Sequence, residues 1–156
     1  MTQYANTAPK HLRRYLVGKD SKFLRTVCDE VEHGTQLPGL VSDLFRIMLE
    51  NWGVGLAAPQ IGEAVRVIAV EYASVCTVMI NPVIVKRPGK IVTSIGEGCL
   101  SYPGLRVDRK RHKRIIVECF DSNWKRVKLD ARGQLAFIVQ HEIDHLNGIT
   151  IGVQHD

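Results

Sequence analysis

The chain has 156 residues, 45% of them hydrophobic and 24% charged, with a formal net charge of +5. That length and composition suit one globular domain over residues 1–156 and exclude a disordered tail protein, and no apolar run reaches the roughly 18–20 residues that span a bilayer. The surplus of cations favours acidic partners without identifying one, while four cysteines with no C-x-x-C pair and no signal peptide fit a reducing compartment better than a disulfide framework.

Residues 1–14 lack hydrophobic periodicity and read as a frayed terminus; their acid-free stretch with Lys10, Arg13 and Arg14 also has the composition of an organellar transit remnant. Over 39–52, Leu40, Val41, Leu44, Phe45, Ile47, Met48 and Trp52 recur at helical spacing, with Pro38 before them and Gly53 after. The segment from Gly53 to Gly62 holds three Gly and one Pro and cannot be regular helix. Runs rich in β-branched residues predict strands over 65–71, 75–80, 91–95, 105–109, 114–120 and 126–129. Asn81-Pro82, Arg87-Pro88-Gly89 and Asp121-Ser122-Asn123 are the expected turns between them. A last helix is expected over 132–146, with Asp130 as N-cap and Asn147-Gly148 as stop. Its apolar residues Leu135, Phe137, Ile138, Val139, Ile143 and Leu146 cover more than one face, as in a buried helix. The predicted class is therefore α+β: short, mainly antiparallel strands packed around a central C-terminal helix, with one N-terminal helix.

The C-terminal helix carries His141-Glu142-Ile143-Asp144-His145. Two histidines at i and i+4 project from one face about a turn apart, so both imidazoles reach a single ion, and Glu142 beside them can contact a metal-bound water. Burying imidazoles without partners is unfavourable, which argues for a metal-binding helix rather than core histidines. A catalytic metal site needs a third protein ligand and one open position. Downstream nothing supplies it: the long zinc-protease pattern requires His at 151, where Ile151 stands, no Glu follows His145, and His155 lies ten residues on. Upstream, the best candidate is Cys99 in Glu97-Gly98-Cys99-Leu100-Ser101, where Gly98 permits close backbone approach. Cys28 and Cys76 lie in ordinary surroundings, and Cys119 alternates with strand residues as a small core side chain. One thiolate with two imidazoles accepts Zn²⁺, Fe²⁺, Co²⁺ or Ni²⁺.

Three segments together, Gly53-Val54-Gly55-Leu56-Ala57-Ala58-Pro59-Gln60, Glu97-Gly98-Cys99-Leu100-Ser101 and His141-Glu142-Ile143-Asp144-His145-Leu146-Asn147-Gly148, resemble the three motifs of the peptide deformylase family in the right order. Similarity extends to Asp20, Leu24-Arg25 and Ile80-Asn81-Pro82 and covers roughly Tyr15 to Ile151. The resemblance implies hydrolysis of the formyl group from the N-formyl-methionine of nascent polypeptides. It also implies one divalent metal ion, usually Fe²⁺ with Zn²⁺, Ni²⁺ or Co²⁺ as substitutes, held by Cys99, His141 and His145. Metal-bound hydroxide would attack the formyl carbon with Glu142 as general acid and base. Gln60 through its side-chain amide and Leu100 through its backbone N–H would stabilise the oxyanion.

For the peptide itself, strand addition beside Val54 and Gly55 is expected. Phe137 and Ile138, four and three residues before His141, face the metal side of the helix and suit a methionine pocket, and Arg106 is a further candidate contact. Glu97 is expected to brace its motif by pairing with Arg106 or Arg109. The stretch from Glu71 to Val78 looks like a trimmed hairpin. Many family members continue with a basic C-terminal helix linked to ribosome docking; the sequence stops at Asp156, so any ribosome contact is expected to do without it. The cluster Arg109, Lys110, Arg111, Lys113 and Arg114 reads as a solvated strand edge. It lacks interleaved aromatics and any nucleic-acid motif, and neither DNA nor a membrane is an expected partner. The expected location is the cytoplasm of a bacterium or phage-infected cell, or an organelle.

Overall fold

The computed structural model describes residues 14–153; residues 1–13, and His155 with its neighbours at 154 and 156, lie outside them. In chain order the main elements are α1 (Pro38–Glu50), β1 (Gly55–Ala57), a 3-10 turn (Ala58–Ile61), β2 (Val67–Tyr72), β3 (Val75–Lys86), β4 (Ile91–Cys99), β5 (Tyr102–His112), β6 (Arg114–Phe120), β7 (Arg126–Arg132) and α2 (Gln134–Leu146). Antiparallel pairing gives a five-stranded sheet in the order β1-β2-β3-β6-β7 and a separate two-stranded sheet of β4 and β5. The fold is α+β, as the sequence predicts.

Successive side chains on a strand point to opposite faces, and β2 shows what each face meets. Ile68 and Val70 join a core with Ala136, Val139, Ile143 and Leu146 of α2. Val67 and Ala69 join a second core with Leu40, Leu44, Phe45 and Met48 of α1. Helices therefore cover the sheet on both sides, which is why Val67-Ile68-Ala69-Val70 is a continuous apolar run rather than an alternating one. Burying side chains such as Leu44 and Met48 of α1 or Leu146 of α2 fully contributes about 1.5–3 kcal/mol each and fixes both helices against the sheet. The C-terminal end of α2 is pinned as well. The Leu146 carbonyl accepts from the Cys28 N–H at 2.9 Å and from Arg66 Nη1 at 3.3 Å, and Arg66 also reaches Asn147 Oδ1 at 3.0 Å. Gly148 follows with φ +70°, and a Cβ there would lie 2.9 Å from the Arg25 carbonyl oxygen, so the stop signal is also a close crossing of two chain segments.

Several local expectations are corrected. Asp130 is not the N-cap of α2: β7 continues to Arg132, Asp130 is bound there by Arg114 and Arg132, and the helix starts after Gly133 at φ 58°. Asn81-Pro82 is not a turn but a bulge inside β3, where the register with β6 shifts between Ile80 and Val83. Asn81 holds φ 50° there and exchanges two 2.9 Å hydrogen bonds with the Val31 backbone. Arg14, placed with the frayed terminus by sequence, is tied to Asp43 at 3.3 Å and Glu63 at 2.6 Å. β4 and β5 run longer than predicted, to Cys99 and from Tyr102, which joins the Cys99 motif directly to a strand. The hairpin between β2 and β3 is as short as expected, with Tyr72 paired to Val75 across a two-residue turn. Among the described residues, no helix is long and apolar enough to cross a membrane.

Candidate active site

A cleft of about 510 Å³ opens between β1, β4 and α2. β1 forms the end of the five-stranded sheet, so its outer edge, which faces the cleft, has no strand partner among the described residues. Cys99 ends β4, and Leu100-Ser101 makes the tight turn into β5, with Cys99 paired to Tyr102. α2 brings His141 and His145 up from below. The ligand atoms of Cys99, His141 and His145 all lie within 4.8 Å of one another, all three residues are buried, and they could hold a metal ion. Cys99 Sγ is 3.3 Å from His145 Nε2.

The surroundings fit such an ion. Glu97 Oε2 lies 3.4 Å from His141 Nδ1; a proton held on Nδ1 leaves the Nε2 lone pair for a ligand bond. Burial disfavours charge on His141, yet the hydrogen bonds to Cys99 and Glu97 and the neighbouring Glu142 outweigh it and raise its pKa to about 10. A pocket that draws a proton onto a buried imidazole is one whose anions favour a cation. His145 behaves oppositely: burial, then the charge on His141, hold it well below its ordinary value, in the neutral form that ligates metals. Thiolate plus imidazoles is a borderline-soft set, suited to first-row divalent ions rather than Ca²⁺ or Mg²⁺.

Gln60 sits in the 3-10 turn after β1 and is buried. Its Oε1 accepts from the Ala57 N–H at 3.0 Å, which leaves its Nε2 aimed at the site, 3.4 Å from Cys99 Sγ and 3.3 Å from Ser101 Oγ. Val17 N–H donates to the Gln60 carbonyl at 2.8 Å and steadies the turn from behind. Glu142 is buried, its Oε2 has no hydrogen-bond partner among the described residues, and burial raises its pKa to about 7. Gly55 makes room for it: a Cβ on Gly55 would stand 2.5 Å from Glu142 Oε1. Leu100 packs its side chain toward Gly53 and places its backbone directly after Cys99. Val54, Gly55, Phe137, Ile138 and Arg106 line the cleft together with Gln60, Cys99, Leu100, His141 and Glu142.

The brace of Glu97 is different from the expected one. Arg106 lies over Gly98, where a Cβ would collide with its guanidinium, and Arg109 instead binds the Thr150 and Val153 carbonyls. The partner is Arg111, whose Nε and Nη2 each donate to the Glu97 carboxylate at 2.9 Å while Nη1 reaches Asp144 Oδ2 at 2.6 Å. Burial works against the Glu97 carboxylate, but Arg111 first, then His141 and Ser94, bring its pKa down to about 2. Arg111, Asp144 and Ser101 are the functional neighbours that sequence reasoning missed. Asp144 sits inside the helix motif and Arg111 inside the basic cluster read as solvated edge, where only Lys110 and Lys113 are fully exposed.

A family model described as polypeptide deformylase matches residues 14–154. The peptide deformylase of Dictyoglomus thermophilum is 42% identical over 132 residues, which cover 82% of this chain and 83% of that protein. That of Treponema pallidum is 43% identical over 127 residues, 81% and 78% of the two chains. Among solved structures, the deformylase of the Vibrio parahaemolyticus bacteriophage VP16T in complex with actinonin superposes with a TM-score of 0.85 at 39% identity, covering 88% of this chain and 99% of that one. A class I type b deformylase from Acinetobacter baumannii bound to Met-Ala-Ser gives 0.83 at 29% identity, covering 90% and 97%. The match runs through every element that builds the cleft, and the chain therefore belongs to the polypeptide deformylase family.

Proposed function

We propose that this protein removes the formyl group from N-formyl-methionyl ends of nascent polypeptides, with Cys99, His141 and His145 holding one divalent ion, Fe²⁺ in the cell. The observation that carries the reading is the convergence of the three ligand atoms within 4.8 Å beside a buried Glu142 carboxylate whose Oε2 has no hydrogen-bond partner among the described residues. When bound, the ion supplies Lewis acidity, making water acidic enough to ionise near neutral pH and polarising a carbonyl.

The remaining work falls to the chain. The peptide adds as an extended strand along Val54 and Gly55, where the chain enters β1, and its methionine side chain enters between Phe137 and Ile138. Arg106 contacts the peptide at the cleft wall. Glu142, with a pKa near the operating pH, takes the proton of the attacking water at Oε2 and delivers it to the departing amine nitrogen. Gln60 Nε2 and the Leu100 N–H donate to the oxygen on which negative charge develops; one such donor is worth about 3–4 kcal/mol of transition-state stabilisation. Glu97, itself locked by Arg111, fixes the ring of His141. The substrate class supports a location where formylated chains emerge, the cytoplasm or an organelle matrix, and a transient encounter with the ribosome.

An anaerobic assay of formate release from formyl-Met-Ala-Ser, with metal analysis of the same sample, tests the reading. Formate and about one iron per chain are expected; Glu142→Ala should retain the metal and lose most turnover, whereas full activity in that variant removes the acid–base role. Unchanged metal content in Cys99→Ser would mean that another group ligates.

A further inference from the structure

The candidate ligands come from two parts of the fold that share no strand pairing among the described residues. Cys99 ends β4 in the two-stranded sheet, while His141 and His145 stand on α2, which packs against the five-stranded sheet. Side chains that cross from β5 to α2, and to the segment after it, therefore hold the two parts in place. β5 turns Leu105, Val107, Arg109 and Arg111 inward at every second position, and Arg106, Asp108 and Lys110 between them are exposed. Arg111 makes one crossing, to Asp144. Arg109 makes a second: its Nη2 donates to the Thr150 carbonyl at 2.7 Å and to the Val153 carbonyl at 3.1 Å. The segment it grips leaves α2 on a fixed course, with the Ile149 N–H on the Asp144 carbonyl at 2.9 Å, and reaches Thr150 shortly after His145. Tyr102, paired with Cys99 across the hairpin turn, meets Thr150 Oγ1 through its hydroxyl at 3.1 Å. Gly152 passes the Tyr102 ring so closely that a Cβ would collide with it, and Ile151 packs with Leu24, Tyr102 and Cys99 in one small apolar core.

With Cys99, His141 and His145 taken as the ligands, as proposed above, we infer that Arg109 is a positioning residue for the metal site. By stapling residues 149–153 to β5 it keeps Cys99 Sγ and His145 Nε2 at ligand spacing and slows release of the ion. Arg111 acts on Glu97 and the ring of His141, whereas Arg109 acts on the other pair, Cys99 and His145, which stand 3.3 Å apart. Without Arg109, two carbonyls lose a charge-assisted donor, and a short irregular segment opens locally at low cost. Ile151 then withdraws from Cys99, and the hairpin that carries the sulfur is free to drift from α2. An ion held by three groups escapes when its ligands stay apart long enough, so rigid support behind a ligand lengthens its stay.

The test uses the full chain loaded with Co²⁺, whose thiolate-to-cobalt absorption reports the bond to Cys99. Decay of that band after addition of excess EDTA gives the release rate. Release from Arg109→Met should be about tenfold faster than from the parent, the scale on which residues behind a ligand tune a site. Arg109→Lys, which keeps a cationic donor, should fall between. Thr150→Val, which removes the hydroxyl facing Tyr102, should also quicken release, and it carries the comparison should Arg109→Met fail to fold. Lys110→Met, on the exposed face where Lys110 bonds Thr93, should match the parent. A general loss of stability would leave the cobalt spectrum as it is, whereas loss of the staple should displace the thiolate band before any EDTA is added, with Arg109→Lys restoring it toward the parent. Release within about twofold of the parent in both Arg109→Met and Thr150→Val, or a parent-like band in Arg109→Met, overturns the inference. A parent that binds cobalt with no thiolate band overturns the ligand set instead. Alkylation mapped by mass spectrometry then still decides the staple: faster labelling of Cys99 in Arg109→Met, with buried Cys119 unchanged, supports it, and equal labelling of Cys99 in the two proteins overturns it.

Discussion

Replacing Arg111 by methionine removes the cation that holds Glu97 against His141, and the structure fixes how much this should cost. Arg111 and Glu97 side chains are each only 8% exposed and meet through two hydrogen bonds of 2.9 Å. Taking one partner from such a pair strands the other charge in the interior, at about 3–5 kcal/mol. The Glu97 pKa points the same way: against burial, Arg111 is first among the groups that bring it from 4.5 down to about 2. The second arm, to a 28% exposed Asp144, adds little, about 0.5 kcal/mol. Urea unfolding of metal-free protein at pH 7 should therefore show a loss of about 3–4 kcal/mol; removing the ion first keeps its own contribution from masking the effect. In the parent, the Glu97 carboxylate is favoured by folding, so its contribution is complete above about pH 4.5 and is lost as pH falls toward 2. Without Arg111, burial acts on Glu97 against only the hydrogen bonds from His141 and Ser94, so its pKa rises and the stability gap between variant and parent should narrow on acidification. Metal affinity should drop about 10–100-fold as the His141 ring loses its anchored partner, and Arg111→Lys, which keeps the charge without the fork, should fall between. A gap below about 1 kcal/mol at pH 7, or one that stays constant through the carboxylate range, would refute the buried-brace account.

Gly55→Ala should place a methyl group 2.5 Å from Glu142 Oε1 and displace that carboxylate, lowering kcat about 100-fold or more while iron content measured on the same protein stays near one per chain; undiminished turnover would show that Glu142 has room to spare. Alkylation at pH 8 followed by mass spectrometry should modify exposed Cys76 first. Burial pushes the Cys28 and Cys119 thiols up to about 11, and equal labelling of these and Cys76 would contradict the packing of the α2 core.

What could be read from the sequence, and what could not, divides along the range of the interactions involved. The histidines stand at i and i+4 with Glu142 beside them, so the spacing of residues 141–145 alone put the two imidazoles on one face of the helix, and α2 has them together. Gln60 follows a Gly-rich strand edge by only a few residues, and a 3-10 turn suffices to aim it. These features depend on local geometry, which residue types at fixed offsets specify. The errors fall where cross-strand register decides. Asp130 is as good an N-cap as a carboxylate opposite Arg114, and only the pairing of β6 with β7 selects the second. Asn81-Pro82 suits a turn or a bulge, and the two hydrogen bonds from Asn81 to the distant Val31 choose the bulge. For Glu97, an unbroken β4–β5 ladder would continue from the Ser94–Arg109 pair in step, but Gly96 at φ +66° and its N–H bond to Asp108 insert an extra residue, so Glu97 faces Val107. That shift aims Glu97 at Arg111 and His141 together, leaving Arg106 over Gly98. A basic run that looks like solvated edge thus contains one cation whose position is set by a glycine fifteen residues earlier, and a variant that straightened the bulge would be expected to disturb the metal ligand without touching it.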